Sequence, residues 1–265
     1  MDLGIKGRVA MVTGASKGMG KASAMALAQE GCKVAICART QTDLDEAVSE
    51  LQGLGGHAIG VRADATEKED IERFYEETVA TLGEVDILVN AVGGAAAGTV
   101  DTMTDQEWQQ NFDRNLFPGI RLIRLAVPGM KERRWGRIVN IASITGREFG
   151  GIYDQTRDRL MGYMSAKAAL IAMSKHMSIQ LAPFRILVNS VAPGIVTYPG
   201  GRRDLWAKQQ TPEVMADFFE RNLPMGVFGW PEPVGALIAF LCSETAGFLT
   251  GTCINFDGGG TQSLI

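Results

Sequence analysis

The chain has 265 residues, 46% of them hydrophobic and 21% charged, and 26 Lys+Arg against 30 Asp+Glu leave a net charge of −4. That length exceeds a small disulfide-stapled module and fits one domain spanning residues 1–265, while the apolar fraction excludes a disordered chain. With no basic excess or cluster, neither a dedicated nucleic-acid binder nor a polybasic membrane anchor is expected.

Residues 1–8 carry charge, and the apolar run that follows them, 9–12, stops after four residues at Thr13-Gly14, so no signal peptide is expected. No stretch approaches the 18 apolar residues of a membrane span. Cys32, Cys37, Cys242 and Cys253 lack CxxC spacing and fall in apolar runs, which reads as buried reduced thiols in a cytoplasmic protein with no metal site. Along the chain, short β-branched runs alternate with longer amphipathic stretches. Strands are expected at 9–12, 34–38, 58–62, 87–90, 137–142, 186–192 and 253–256, and helices at 19–30, 43–54, 68–82, 105–131, 162–182 and 232–242. The strand runs are apolar on both alternate positions, as in a parallel sheet covered on both faces. The fold class is therefore α/β, a doubly wound Rossmann domain with a seven-stranded parallel sheet. Residues 194–230, long and rich in aromatics, read as a lid over the carboxyl ends of the strands, with an arm for subunit contact as the alternative.

The first strand runs into Thr13-Gly14-Ala15-Ser16-Lys17-Gly18-Met19-Gly20, and a helical pattern follows at once. Small residues let the backbone turn sharply and approach a pyrophosphate, which the amides and positive dipole end of the new helix hold. Placement between a strand and a helix, at the head of a βαβ series, is what gives the glycine spacing its weight. This turn is followed in order by Asn90-Ala91-Val92-Gly93, Asn115, Ser143, Tyr163-Met164-Ser165-Ala166-Lys167, Pro193-Gly194 and Asp257-Gly258-Gly259. Over nearly its whole length the chain thereby resembles the classical short-chain dehydrogenase/reductase family, and its pattern is similar to that of 3-oxoacyl-(acyl-carrier-protein) reductase-like members.

The resemblance implies a nicotinamide dinucleotide held along Gly14, Ser16, Lys17, Gly18, Met19 and Gly20. Asp64 and Ala65 would meet the adenine, unless Asp64 is only a helix cap. Asn90, Ala91 and Gly93 would line the ribose side, and Pro193, Gly194, Val196 and Thr197 the nicotinamide. Thr197 departs from the family pattern, which often sets its threonine where Tyr198 stands. The second strand delivers Arg39 to the adenosine ribose, with no acid at Ala38 or Arg39. A guanidinium there accommodates a 2′-phosphate where a carboxylate would repel it, and Lys17 adds a second cation nearby. NADP(H) is therefore the expected cofactor, with NAD(H) as the alternative.

Tyr163 and Lys167, four apart in a helical pattern, share one face. A free phenol has a pKa of about 10, and a neighbouring ammonium is expected to lower it, so that Tyr163 serves as acid and base near neutrality. By resemblance Ser143 would hold the substrate oxygen, Lys167 would bond the nicotinamide ribose, and Asn115 would hold a water linking Lys167 to solvent. Tyr153 is a decoy, because four residues on stands Arg157 rather than Lys. Tyr163 lies further beyond Ser143 than in many relatives, so 147–160 reads as an insertion forming one wall of the substrate cleft. Substrate contacts are expected from Ser143, Thr145, Phe149, Tyr153, Tyr163, Tyr198 and Trp206. Arg185 occupies a usual Gly C-cap, which predicts a corner built differently.

Three functions fit. The first is an NADP(H)-dependent reductase of a bulky apolar ketone, or dehydrogenase of the corresponding alcohol, forming a homotetramer by resemblance. The second is reduction of oxoacyl groups on an acidic acyl carrier protein, docked by Lys131, Arg133 and Arg134 with Arg137 just beyond; it is disfavoured because no second docking arginine stands near Ile179. The third is a catalytically idle dinucleotide-binding oligomer, against which the Asn115/Ser143/Tyr163/Lys167 set argues. His176 reads as an interface or core residue.

Overall fold

A computed structural model describes residues 2–148 and 160–263 of the chain. Seven strands, β1 (Val9–Thr13), β2 (Lys33–Ala38), β3 (Ala58–Arg62), β4 (Ile87–Asn90), β5 (Gly136–Ile141), β6 (Ile186–Pro193) and β7 (Cys253–Phe256), form one sheet in the order β3-β2-β1-β4-β5-β6-β7. Every pairing is parallel. The helices are α1 (Gly18–Gln29), α2 (Gln41–Gly53), α3 (Lys68–Leu82), α4 (Asp105–Asn115), α5 (Phe117–Arg133), α6 (Met161–Leu181), α7 (Arg202–Ala207), α8 (Pro212–Asn222) and α9 (Pro231–Leu241).

The pleat sorts each strand between two cores. On β1, Ala10 and Val12 join Leu27 of α1, Leu44 of α2 and Ile238 of α9, whereas Val9 and Met11 join Phe74 of α3, Leu122 of α5 and Leu181 of α6. Neither face of β1 meets water, which is why its sequence shows no polar alternation. Strand order reverses between β1, which pairs β2 on one side and β4 on the other. The loops leaving these strands diverge and open a crevice at their carboxyl ends.

Three local differences from the sequence expectations have physical causes. The helix expected over 105–131 is two helices, divided at Leu116 (φ −123°, ψ −54°), because Pro118 cannot donate to the carbonyl a turn behind it. Residues 194–230 are not a plain loop. They contain α7 and α8, the latter capped by Thr211 through the Val214 amide, and Trp206, Met215, Phe218, Phe219 and Phe228 pack with Ile195 and Leu223 as a small core of their own. The corner at Arg185 keeps the left-handed conformation a glycine would adopt (φ +60°, ψ +27°), with its amide on the Ala182 carbonyl. No helix among the described residues is long and apolar enough to cross a membrane.

Candidate active site

The turn after β1 is set by contacts that only small residues permit. A Cβ on Gly20 would run into the carbonyl of Gly14, and one on Gly18, already at φ +57°, would meet the ring of Tyr198 at 2.7 Å. Helix α1 then starts with no side-chain cap and no acid in its first turn. Its amide end is left for an external anion. In front of it lies a cavity of about 530 Å³ whose walls include Gly14, Ser16, Lys17, Gly18, Met19 and Gly20, together with Arg39, Asp64, Ala65, Ala91 and Gly93. The structure thus brings these predicted cofactor residues to one cleft. Asp43, Arg114 and Tyr198 line it too, although the sequence reading did not assign them to the cofactor.

Three of the cleft's charges, Lys17, Asp43 and Asp64, are engaged. Lys17, expected to be a second cation for a 2′-phosphate, instead pairs with Asp43 at 2.8 Å, and that bond raises the ammonium's pKa. The pairing joins residues 26 apart, so no local spacing announced it. Asp64 accepts from the amide and hydroxyl of Thr66 at 3.0 and 2.8 Å in a turn two residues wide, and Glu67, not Asp64, is the N-cap of α3. Arg39 is exposed, and its carbonyl accepts from Arg62 Nε at 3.2 Å. Arg39, Arg62 and Arg73 border an adjoining cavity of about 330 Å³.

The proton-handling candidates meet beside the carboxyl end of β5. Ser143 follows that strand; its Oγ accepts from the Thr145 amide at 3.2 Å and lies 2.9 Å from the Thr145 hydroxyl. Tyr163, in the first turn of α6, hydrogen-bonds Ser143. One turn on, the buried Lys167 donates from Nζ to the Ile141 carbonyl at 2.8 Å and stands 5.8 Å from the centre of the Tyr163 ring. Burial brings that ammonium down to about 8. Burial also raises the Tyr163 phenol, outweighing the Ser143 bond and the charge of Arg202, both of which lower it. The sequence expectation of a phenol made acidic by its lysine is therefore corrected for the free chain: desolvation dominates.

Asn115 is built in firmly. Its side chain accepts from the Gly94 amide at 3.1 Å and donates to the Gly94 and Asn111 carbonyls at 2.7 and 2.8 Å. A Cβ on Gly93 would stand 3.1 Å from Asn115 Oδ1 and 3.2 Å from Lys167 Nζ, so Gly93 occupies the gap between them. Asn111, which sequence reading passed over, ties Ala96 to α4 in the same way. A buried chain runs beneath the site, from Asn90 to Asn140 at 2.7 Å and from Asn140 to Ser174 at 2.8 Å.

Pro193 ends β6 and Gly194 follows it, and the Thr197 amide bonds the Gly229 carbonyl at 2.9 Å, anchoring the start of 194–230 beyond Val196. Thr197 Oγ1 and Asn90 Oδ1 are buried with no partner among the described residues. Such orphaned oxygens, with the uncapped end of α1 and the glycine cradle, are what a bound dinucleotide would satisfy, so the residues present fit the group. Trp206 packs on Phe218 at 5.0 Å between ring centres. Phe149 and Tyr153 lie outside the described residues. His176 is exposed; Cys32, Cys37 and Cys242 are buried and free, with Cys32 and Cys37 pushed up to about 12 by burial. Among the described residues no cluster could hold a metal.

The short chain dehydrogenase family profile matches residues 8–210. The chain is 32% identical over 255 residues to 3-oxoacyl-[acyl-carrier-protein] reductase FabG of Thermotoga maritima, covering 96% of this chain and 98% of that one. It superposes with a TM-score of 0.90, at 30% identity and over all of both chains, on L-sorbose reductase of Gluconobacter frateurii, solved with NADPH and L-sorbose. It is also similar, with a TM-score of 0.87 and 29% identity over all of this chain and 98% of the other, to a 7 alpha-hydroxysteroid dehydrogenase complexed with NADH and 7-oxo glycochenodeoxycholic acid. By its glycine turn, its Rossmann sheet and these likenesses, the chain belongs to the classical short-chain dehydrogenase/reductase family, and it is an NAD(P)-dependent oxidoreductase.

Proposed function

We propose that the chain is an NADP(H)-dependent carbonyl reductase and secondary-alcohol dehydrogenase acting on a bulky apolar small molecule, as a cytoplasmic homotetramer. The observation that carries the chemistry is the grouping of Tyr163, Ser143 and Lys167 at the end of β5, with the phenol bonded to the serine and the ammonium one turn away. Tyr163 donates its proton to the carbonyl oxygen in reduction and takes it from the alcohol in oxidation. Ser143, oriented by Thr145, bonds the same oxygen and holds it against the phenol. Lys167 keeps a positive charge beside the phenolate as it forms, and Asn115 fixes the loop at Gly94 that flanks it. The dinucleotide, when bound, supplies or accepts the hydride.

The NADP(H) preference is supported by Arg39 just after β2, which with Arg62 and Arg73 borders the adjoining cavity. The apolar substrate is supported by the aromatic cluster of 194–230, with Tyr198 over the glycine turn and Trp206 in that cluster. A second reading, oxoacyl reduction on an acyl carrier protein, is favoured by the name of the Thermotoga maritima relative. Against it, Arg137 is 3% exposed and Arg133 is committed to Glu84 and Asp86, so two of the expected docking cations are already spent.

The test is a panel of ketones and secondary alcohols assayed with NADPH/NADP and NADH/NAD, on the wild type and on Tyr163→Phe. The substitution should lower kcat by about 10³-fold or more while the dinucleotide Kd stays within about twofold, because only the transferable proton is removed. Appreciable residual turnover rejects Tyr163 as the acid and base. Salt separates the substrate readings: a carrier docked by charge loses affinity steeply as salt rises, and a neutral ketone does not.

A further inference from the structure

The dinucleotide cleft holds one cation with no counterpart in the motifs. Lys17 and Asp43 neutralise each other at 2.8 Å, and Arg39 stands at the outer end of the cleft, after β2. The remaining positive charge in the wall is Arg114, in the last turn of α4. It is half-buried and makes no hydrogen bond or ion pair with any described residue. Its stem is nonetheless placed firmly. A Cβ on Gly94 would stand 3.0 Å from Arg114 Cδ and 3.3 Å from a guanidinium nitrogen, so the side chain lies along the Gly94 backbone. The next residue, Asn115, clamps both the amide and the carbonyl of Gly94. An unpaired guanidinium held against a fixed backbone is preorganised for an anion supplied from outside.

Which anion follows from the walls. The cavity that Arg114 lines includes the whole glycine turn and the residues after β2 and β3, and it does not include Ser143 or Tyr163. Arg114 thus faces the adenosine-diphosphate half of the cleft, not the half where a ketone would react. It reaches that half from the β4 side, whereas the end of α1 enters from the β1 side, and these strands are neighbours in the sheet. A helix end supplies only about half a positive charge, while a diphosphate carries about two negative ones at neutral pH. With Lys17 spent on Asp43, the turn alone leaves most of that charge uncompensated. We infer that Arg114 is a cofactor-binding residue that bonds the diphosphate of the dinucleotide from the wall opposite the glycine turn. Because the diphosphate is common to both nicotinamide cofactors, Arg114 gives affinity without selecting between them, and this assignment is independent of the NADP(H) preference proposed for Arg39.

The experiment is isothermal titration of the full-length protein and of Arg114→Gln, Arg114→Lys and Arg39→Ala with NAD+, NADP+ and adenosine, alongside the melting temperature of each apoprotein. Arg114→Gln should weaken NAD+ and NADP+ by the same factor, about tenfold or more, as expected for one charge-assisted hydrogen bond. Adenosine should bind as before, Arg114→Lys should recover part of the loss, and Kd should depend less on salt in Arg114→Gln. Unchanged NAD+ affinity in Arg114→Gln would overturn the assignment, and a lowered melting temperature with it would leave Arg114 only a charge at the end of α4. A loss confined to NADP+, matching Arg39→Ala, would make it a 2′-phosphate residue and equally overturn it, as would a raised KM for ketone with dinucleotide Kd intact.

Discussion

Lys167 shows how a side chain can be costly to the fold that carries it. Its ammonium is buried with one carbonyl partner, and burial brings its pKa to about 8, below the usual lysine value of 10.5. The folded chain therefore releases this proton more readily than the unfolded chain does. The charged lysine costs stability at every pH below about 8, and the cost is relieved as pH rises from there toward 10.5. Lys167→Met removes that cost but also leaves the Ile141 carbonyl without its donor, and pH separates the two effects. Relative to wild type, the variant should be more favourable at pH 7 than at pH 10 by about 2 kcal/mol, measured by urea unfolding of the apoproteins. A relative stability flat across that range would mean that the fold leaves the Lys167 pKa at its unfolded value, so that burial exacts no cost. Such an investment makes sense only for a group whose charge is used, since a buried structural position would be cheaper as methionine.

Individual elements obey local rules closely enough that one can be improved. Arg185 sits at φ +60°, ψ +27° between the 3-10 turn Ala182–Phe184 and β6, an exposed side chain in a conformation that suits glycine. The left-handed strain is about 1–2 kcal/mol, offset in part by the greater freedom glycine has when unfolded. Arg185→Gly should therefore stabilise by about 0.5–1 kcal/mol and raise Tm by roughly 2 °C. The bond from Arg137 to the Arg185 carbonyl survives, because it uses only backbone on that side; a lowered Tm would place an unseen role in the arginine side chain. The same corner shows what could be read in advance. Strands β1, β2, β4, β5 and β6 were legible because nearly every position of each is buried, so apolar runs mark them directly, and the glycine turn was legible because its neighbours are adjacent in sequence. The break at Leu116 and the start of α8 had local signals, Pro118 and Thr211-Pro212-Glu213, that periodicity overrode. The Lys17–Asp43 pair, the seating of Arg114 on Gly94 and the Asn111 and Asn115 clamps were not legible, because each depends on which loops the sheet brings together. Desolvation of Tyr163 belongs with these: spacing announces a lysine one turn away, but not how dry the phenol is.

At the scale of the whole molecule, the surface retains apolar area that the two cores do not use. Trp108, Phe112 and Phe117 border a groove of about 350 Å³ on the outer side of α4 and α5, Ile179 on α6 is 68% exposed, and Phe248, between α9 and β7, is fully exposed. Burying one phenylalanine ring contributes about 2–3 kcal/mol, and a two-fold contact counts it twice. The proposed homotetramer, with D2 symmetry, would take one two-fold through the apolar residues of α4, α5 and α6 and a perpendicular one through Phe248. Sedimentation equilibrium at micromolar concentration should therefore give about 114 kDa, four times the 28.5 kDa chain. Phe248→Asp should halve that mass, because a charge there is desolvated twice across one axis while the α4–α6 face is untouched. The dimers should still bind dinucleotide, since the cleft walls come from β1 to β4, α4 and Tyr198, none of them near Phe248 in the chain. A wild-type monomer under these conditions would reject the tetramer, and a Phe248→Asp variant that stays at full mass would move the second contact elsewhere on the surface.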